Sequence, residues 1–182
     1  MCEPIDDRIV GGIDRNIYFA IETHLRTGAE LNRPATLSDK EMNMYPEEMI
    51  APMRQELVQL GFHEWKRAED VDRDLSAAKG VSLVVINSVC GCSAASCRPG
   101  VALAMQDGPK PDQAFTVFAG NDVEATAQVR EYLLGEPPSS PSIGIFKDGR
   151  MHGMLHRKDI QGRHPAEIAD LVKGAISSAV AA

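Results

Sequence analysis

The segment that decides the fold spans residues 83–92 and reads Leu83-Val84-Val85-Ile86-Asn87-Ser88-Val89-Cys90-Gly91-Cys92. Its first four residues form a continuous apolar run rich in β-branched side chains, which is typical of a strand buried on both faces of a mostly parallel sheet. The residues from Cys92 to Gln106 predict a helix with a kink at Pro99. A pair of cysteines therefore falls at the turn between a central strand and a helix.

The position of Cys90 predicts a reactive thiol. Open α/β sheets place their reactive groups at the carboxyl ends of the central strands. Backbone N–H groups and the dipole of the following helix stabilise an anion there, and such a field lowers a thiol's pKa from ~8.5 to between ~3.5 and ~7.5. Because only the thiolate attacks a disulfide sulfur, Cys90 is the candidate nucleophile and Cys92 its close partner.

Hydrophobic periodicity on both sides of this segment predicts an alternating order of elements. We expect strands over 62–65, 83–86, 115–118, 143–146 and 151–155, and helices over 47–60, 71–78, 92–106, 123–134 and 165–180. Lys147-Asp148-Gly149-Arg150 between two apolar runs predicts a tight hairpin, because glycine takes the positive φ that such a turn needs. From Phe62 the order is βαβαβαββα, an α/β fold with a central mixed β-sheet flanked by helices.

The first forty residues carry a weaker pattern. A few apolar residues recur there at helical spacing and predict one short helix: Ile17, Ala20, Ile21 and Leu25. The length of 182 residues and a hydrophobic content of 43% suit one compact domain with an appended segment. We therefore expect an N-terminal extension over residues 1–40, with an extra helical segment and no evident role, and one α/β domain over residues 41–182.

Charge and targeting signals narrow the class of partner. A formal net charge of -7 argues against nucleic acid or an anionic membrane as the main partner, because both would repel the protein. The N-terminus has no secretory signal pattern and no apolar run approaches ~18 residues, so we expect a cytoplasmic protein. In a reducing compartment, four cysteines with three of them inside residues 90–97 indicate catalysis or metal binding rather than structural disulfides.

The single residue between Cys90 and Cys92 has a physical consequence. A disulfide between them would close a ring of about eleven atoms, and strained disulfides are readily reduced. This favours action on mixed disulfides, or isomerisation, over general reduction. Residues two apart on a helix point about 200° away from each other, so the two thiols should meet only if the chain at Gly91 is not yet helical. Glycine permits that freedom.

Cys97 supports two different interpretations. On a regular helix it would lie about 10 Å along the axis from Cys90 and about 7.5 Å from Cys92, too far for a disulfide, which favours a packed, inert thiol. The alternative is a binding module in which all three cysteines hold zinc or an iron–sulfur cluster. Their spacing fits no common ligand pattern, and a fourth ligand would have to come from Cys2 or a distant histidine. Arg98 could support a thiolate or equally be a solvated helix residue.

Two local motifs give the chain its resemblance to the thioredoxin superfamily: the cysteine pair at a strand-to-helix turn, and Ser140-Pro141-Ser142 at the start of a strand. In that superfamily a cis-proline opens this strand and faces the cysteine pair. The resemblance implies a thioredoxin-like fold with a cis Pro141. It also implies a substrate-binding role for Gly91, Ser140 and Pro141, with the backbone of Ser140 offered to the substrate chain.

Three separated segments resemble the bacilliredoxin family more closely: Asn87-Ser88-Val89-Cys90-Gly91-Cys92, Thr116-Val117-Phe118-Ala119-Gly120 and Pro138-Ser139-Ser140-Pro141-Ser142. The resemblance implies a thiol-disulfide oxidoreductase in which Cys90 attacks and Cys92 resolves or modulates. Its partners would be proteins that carry mixed disulfides with a low-molecular-weight thiol such as bacillithiol, which acts as co-substrate with no further cofactor. Disulfide isomerase activity is also implied, while the oligomeric state stays open.

Three features depart from these families. Bacilliredoxins have no equivalent of the first forty residues. Thioredoxin has a tryptophan directly before its first cysteine and a buried aspartate six residues before it, where this chain has Val89 and Val84. Many relatives have no cysteine at the position of Cys97. A proton relay of the thioredoxin kind is therefore not expected here.

Overall fold

The computed structural model describes residues 44–182, so the extension over 1–40, its expected helix and Cys2 lie outside the described residues. Five strands and six α-helices follow one another in this part of the chain. They are α1 Glu47–Val58, β1 His63–Glu64, α2 Ala68–Ala77, β2 Val81–Asn87, α3 Arg98–Gln106, β3 Gln113–Phe118, α4 Val123–Tyr132, β4 Ser142–Lys147, β5 Arg150–Leu155, α5 Arg157–Ile160 and α6 Pro165–Ala181, with a π-helical turn over Ser93–Cys97. None of these helices is long and apolar enough to cross a membrane.

The strands form one mixed sheet in the order β1-β3-β2-β4-β5. β2 lies parallel to β3 and antiparallel to β4. Of the two outer strands, β1 pairs with β3 and is parallel to it, and β5 pairs with β4 and is antiparallel to it. The antiparallel register sets Ile86 opposite Ser142. The carboxyl end of β2 and the start of β4 therefore meet at the same edge of the sheet, which is where the sequence places the cysteine pair and Pro141.

Both faces of β2 are covered, which explains its continuous apolar sequence. Leu83 and Val85 point into a core shared with α3 and α6, whereas Val84 and Ile86 point into a core shared with α2 and α4. Burying each such side chain contributes about 1.5–3 kcal/mol. The strand before the cysteines is thus held from two sides, and the expected central mixed sheet flanked by helices is confirmed.

A close helix contact positions the helix that follows the cysteines. A Cβ atom added at Gly100 of α3 would lie 2.5 Å from Cβ of Ile168 in α6. Only glycine therefore allows the two helices to approach this closely, and a larger side chain would push α3 and α6 apart.

Helix α1 is anchored by a buried arginine. The Arg54 guanidinium donates to both carboxylate oxygens of Asp122 at 2.7 and 2.8 Å and to Glu64 at 3.0 Å. Its central carbon lies 5.1 Å from the centroid of the Phe118 ring. Bidentate geometry is what makes arginine suited to such a buried ion pair.

Most elements confirm the expectations from sequence, and three differ. The hairpin has positive φ at Asp148 and Gly149, 48° and 75°, as a type I′ turn requires. β1 has only two residues, because its register with β3 is confined to two pairs. The helix expected over 92–106 contains a π-helical turn, Ser93–Cys97, just before Pro99, where the sequence predicts a kink. Proline has no N–H to offer the carbonyl four residues back, so the preceding turn widens.

The third difference is the short helix α5, which the sequence analysis misses. The carboxylate of Asp159 accepts a hydrogen bond of 2.9 Å from the N–H of His156 and so stabilises the first turn. Four residues are too few to show a hydrophobic period, so the pattern between β5 and α6 gives no signal. This helix begins with Arg157, which belongs to the site.

Candidate active site

Cys90 occupies the position that caps the helix after β2. Its carbonyl accepts hydrogen bonds from the N–H groups of Ser93 at 3.0 Å and Ala94 at 3.2 Å. Gly91 and Cys92 are already helical, with φ and ψ of -67° and -29° at Cys92. The expectation of a non-helical Gly91 is therefore wrong. The two thiols still interact because Cys90 itself lies before the helix and its side chain is free of the 100° helical step.

The surroundings of Cys90 favour its thiolate. Partial burial raises the pKa of the Cys90 thiol, but hydrogen bonds from Cys92, the Ser88 hydroxyl and the Ser93 N–H, together with the charge of Arg157, outweigh burial and lower that pKa below its ordinary value. The Ser88 Oγ donates to the Cys90 Sγ at 3.3 Å. Hydrogen bonds to the charged form are the standard way in which proteins stabilise an anion.

Cys92 is shifted in the opposite direction. Partial burial, its hydrogen bond with Cys90 and repulsion by a charged Cys90 raise the pKa of the Cys92 thiol, although Arg157 opposes the rise. One thiolate and one thiol therefore share the site, since two adjacent thiolates would repel each other. Cys90 is the group that ionises first, and Cys92 keeps its proton as the donor.

A buried polar network fixes the turn that carries Cys90. The Oδ1 of Asn87 accepts hydrogen bonds from the Ser88 N–H at 2.8 Å, the Ser93 hydroxyl at 2.8 Å and the Arg98 guanidinium at 3.2 Å. Arg98 also donates to the Ser88 carbonyl at 3.3 Å and pairs with Glu56 at 2.8 Å. Its side chain is only 4% exposed, so the solvated interpretation of Arg98 is wrong.

Arg98 nevertheless does not act on the Cys90 sulfur through a hydrogen bond. Its guanidinium satisfies the end of β2 and the first helical turn, which leaves the Ser88 hydroxyl free to face Cys90. The network is fully buried apart from its Glu56 end, and a buried polar group without a partner costs about 1–3 kcal/mol. Arg98 is therefore a positioning residue.

The Ser140–Pro141 peptide bond is cis, as the resemblance implies. Pro141 is buried directly before β4, at the sheet edge where β2 ends. The Ser140 carbonyl accepts a hydrogen bond of 3.3 Å from the Arg157 guanidinium, and the charge of the same arginine acts to lower the pKa of both thiols. Arg157 thus connects the proline loop with the cysteine pair. The substrate-binding roles of Gly91, which is exposed, and of Ser140 and Pro141 stay predictions.

Cys97 is a packed core residue. Its side chain is 0% exposed and packs among the apolar side chains of the core that contains residues of α3 and α6. Burial raises the pKa of the Cys97 thiol to about 12, so it remains protonated at neutral pH. Within residues 44–182 no three side chains of His, Cys, Asp or Glu are grouped so that they could hold a metal ion. The metal-binding interpretation has no ligand set in this part of the chain.

The sequence assigns no role to four residues of the site: Asn87, Ser88, Ser93 and Arg157. A signal exists for the first two, since consecutive polar residues at the end of a fully buried strand need buried partners. Ser93 and Arg157 give no comparable signal. Arg157 lies 67 positions from Cys90, and only the return of β5 to the same sheet edge brings them together.

The fold and the site together define a thiol-disulfide oxidoreductase of thioredoxin-like fold. Residues 45–179 match the family described as disulphide isomerase. A bacilliredoxin of Salinibacter ruber is 52% identical over 132 residues, covering 71% of this chain and 77% of that protein. A bacilliredoxin of Geobacillus kaustophilus is 48% identical over 121 residues, covering 66% and 83%. The chain therefore belongs to the bacilliredoxin family.

A similarity to solved structures accompanies these relatives. A structure described as an oxidoreductase with a thioredoxin fold is 14% identical to this chain, with a TM-score of 0.46, and the match covers 59% of this chain and 89% of that one.

Proposed function

We propose that the Cys90-Gly91-Cys92 pair reduces mixed disulfides between proteins and a low-molecular-weight thiol of the bacillithiol type. The observation that carries the proposal is the place of Cys90 at the start of the helix after β2, where the Ser88 hydroxyl donates to its sulfur at 3.3 Å. The pKa of Cys90 is lowered there, and that of Cys92 is raised. A nucleophile that is ionised beside a protonated partner suits the attack on a disulfide. The names of the relatives support the same class of substrate.

In the first step the Cys90 thiolate attacks the small-thiol sulfur of the mixed disulfide. The substrate S–S bond breaks, a Cys90–small-thiol disulfide forms, and the protein thiolate leaves and takes a proton. In the second step Cys92 loses its proton and attacks the Cys90 sulfur, which releases the small thiol and leaves a Cys90–Cys92 disulfide. Once Cys90 is no longer a thiolate, the repulsion that raises the pKa of Cys92 is gone.

The same attack would serve disulfide isomerisation, which the description of the family favours. Cys90 would then attack a disulfide within a substrate protein, and another substrate cysteine would displace it, so that no net electrons are transferred. Both activities require a free thiolate, and a reducing compartment such as the cytosol keeps the pair in that state.

Single cysteine variants test the proposal. The substrate is a fluorescent peptide whose one cysteine is linked to bacillithiol, and the readouts are the released peptide thiol and the intact mass of the protein. We expect Cys90→Ser to fall to the uncatalysed rate. Cys92→Ser should release one equivalent of peptide thiol and then accumulate bacillithiol on Cys90.

Cys97→Ala is the matched control, because it removes a thiol that lies in the core and should keep the activity of the unaltered protein. If Cys90→Ser retains the attack while Cys92→Ser loses it, the roles are reversed. If both variants keep full activity, the pair is not the catalytic centre.

A further inference from the structure

A cleft of about 420 Å³ lies against the turn that carries the cysteine pair. Gly91 and Cys92 line it together with Arg157, Arg163 and His164, which belong to the segment that connects β5 with α6. The cleft is open to solvent, and Ala95 and Ser96 of the π-helical turn also line it. A molecule bound there would lie in contact with the active-site helix turn.

The ionisable side chains around the cleft, apart from Cys92, are two arginines and a histidine, and no carboxylate lines it. The two acidic groups nearest in sequence, Asp159 and Glu167, already accept hydrogen bonds of 2.9 and 2.8 Å from the N–H groups of His156 and His164 at the starts of α5 and α6. No carboxylate of residues 44–182 forms an ion pair with Arg157 or Arg163. This local positive charge contrasts with the net charge of -7 of the whole chain.

We propose that this cleft binds the carboxylate-bearing end of the small thiol, with Arg163 and Arg157 as its specificity-determining residues. The inference rests on the proposed function and adds to it the chemical class of the small thiol, an anion, and the place where it binds. Arginine is the side chain best suited to recognise a carboxylate, because its planar guanidinium donates two parallel hydrogen bonds.

The location of the cleft favours the small thiol over the protein part of the substrate. When Cys90 carries the small thiol, the newly bound moiety must lie beside Cys92, and Cys92 is part of the cleft wall. The volume lies in the range of about 300–1,000 Å³ that small-molecule sites occupy, whereas a polypeptide segment needs an extended surface. Arg157 would contact the small-thiol carboxylate while its guanidinium also donates to the Ser140 carbonyl of the proline loop.

Arg163 offers the cleaner test of the two arginines. Its side chain is exposed, and it is not among the groups that shift the pKa of either active-site cysteine. The contacts of its backbone, such as the hydrogen bond of 2.7 Å from the Ser96 hydroxyl to its carbonyl, survive a change of side chain. Arg163→Gln should therefore alter ligand recognition and leave the thiol chemistry intact.

The experiment compares two substrates that share one fluorescent peptide, linked by a disulfide either to 2-mercaptosuccinate, a dicarboxylate, or to 2-mercaptoethanol, which is neutral. The measured quantity is the rate of reduction of the dicarboxylate substrate divided by the rate for the neutral substrate. When this ratio for a variant is divided by the ratio for the unaltered protein, the intrinsic reactivities of the two substrates cancel. We expect Arg163→Gln to lower the ratio about fivefold, the effect of one favourable exposed ion pair. Added salt should lower the ratio of the unaltered protein.

Arg150→Gln is the matched control, since it removes the same charge from the hairpin at the opposite end of the sheet and should leave the ratio unchanged. An unchanged ratio in Arg163→Gln overturns the inference about the cleft. The proposed function still stands in that case if the protein reduces the neutral substrate. Equal slowing of both substrates would assign the cleft to the peptide instead, and equal lowering by Arg150→Gln would indicate only net charge. If the unaltered protein reduces neither substrate, the proposed function itself fails.

Discussion

The hydroxyl of Ser88 donates a hydrogen bond of 3.3 Å to the sulfur of Cys90. Ser88 is the first residue after β2, and its own backbone is held by Asn87 and Arg98, so the hydroxyl is directed at the sulfur by buried partners. A donor fixed in this way favours the thiolate without any reorganisation when the charge forms. The acidity of Cys90 therefore depends on the packing of the strand end as well as on the helix.

We predict that Ser88→Ala raises the pKa of Cys90 and slows its alkylation by iodoacetamide about fivefold at a pH below the midpoint, as expected for the loss of one hydrogen bond. The measurement is the alkylation rate of Cys90 against pH, followed by peptide mass spectrometry. The midpoint of the curve of alkylation rate against pH should move to higher pH, while the plateau rate at high pH stays the same. Ser88→Thr, which keeps a hydroxyl, and Ser76→Ala, which alters an exposed serine of α2, serve as controls. A midpoint that stays in place would show that Ser88 does not stabilise the thiolate.

The sequence predicts the position of the site better than its chemistry. The apolar run ending at Asn87, the two cysteines and Pro141 are local patterns, and each has a physical reason that needs no distant partner. The partners of Cys90 are different in kind. Arg157 acts across the sheet edge, and Arg98 is buried although a charged residue on a short helix usually faces solvent. Such contacts follow from packing, which periodicity does not encode.

Arg98 carries a second prediction. Arg98→Met should destabilise the protein by about 3 kcal/mol, because it leaves the buried Ser88 carbonyl without a donor and removes one of the three hydrogen bonds that the Asn87 Oδ1 accepts. Arg98→Lys should recover only part of this loss, since an ammonium group cannot replace several donors in fixed directions. Urea unfolding measures the stability. The pH profile of Cys90 alkylation should also broaden or shift in both variants. Substitution of an arginine that stabilises the protein far from the cysteine turn would not change this profile. Arg73→Met, at an exposed position of α2, is the control.

The N-terminal extension carries a third prediction. The family match covers residues 45–179, and every residue assigned above to the site lies within them. Deletion of residues 1–40 should therefore leave the rate of Cys90 alkylation and the reduction of the bacillithiol-linked peptide within about twofold of the full chain, as expected for a segment outside the domain. Circular dichroism of the truncated chain verifies that it is folded. A loss of reactivity in a folded truncated protein would mean that the extension contributes to the site.

Cys97 provides the last prediction, which concerns stability against pH. In the folded protein burial raises the pKa of Cys97 to about 12, whereas in the unfolded chain a thiol titrates near ~8.5. Between these two values the unfolded chain loses a proton that the folded protein keeps. Raising the pH therefore favours unfolding, by up to about 1.4 kcal/mol per pH unit above ~8.5. Other groups titrate in the same range, so the effect is isolated by comparison with a variant that lacks this thiol.

Cys97→Ala should be less stable than the unaltered protein by about 1–2 kcal/mol at pH 7, because it removes a buried sulfur from the core around α3 and α6. The difference should shrink as the pH rises above ~8.5, and it should reverse sign near pH 10, since alanine has no proton to lose. Urea unfolding at a series of pH values measures both curves under reducing conditions, and Ser76→Ala, which alters an exposed serine without an ionising group in this range, is the control. A difference in stability between Cys97→Ala and the unaltered protein that stays constant from pH 7 to pH 10 would contradict the prediction. It would show that Cys97 ionises as easily in the folded protein as in the unfolded chain, which its complete burial does not allow.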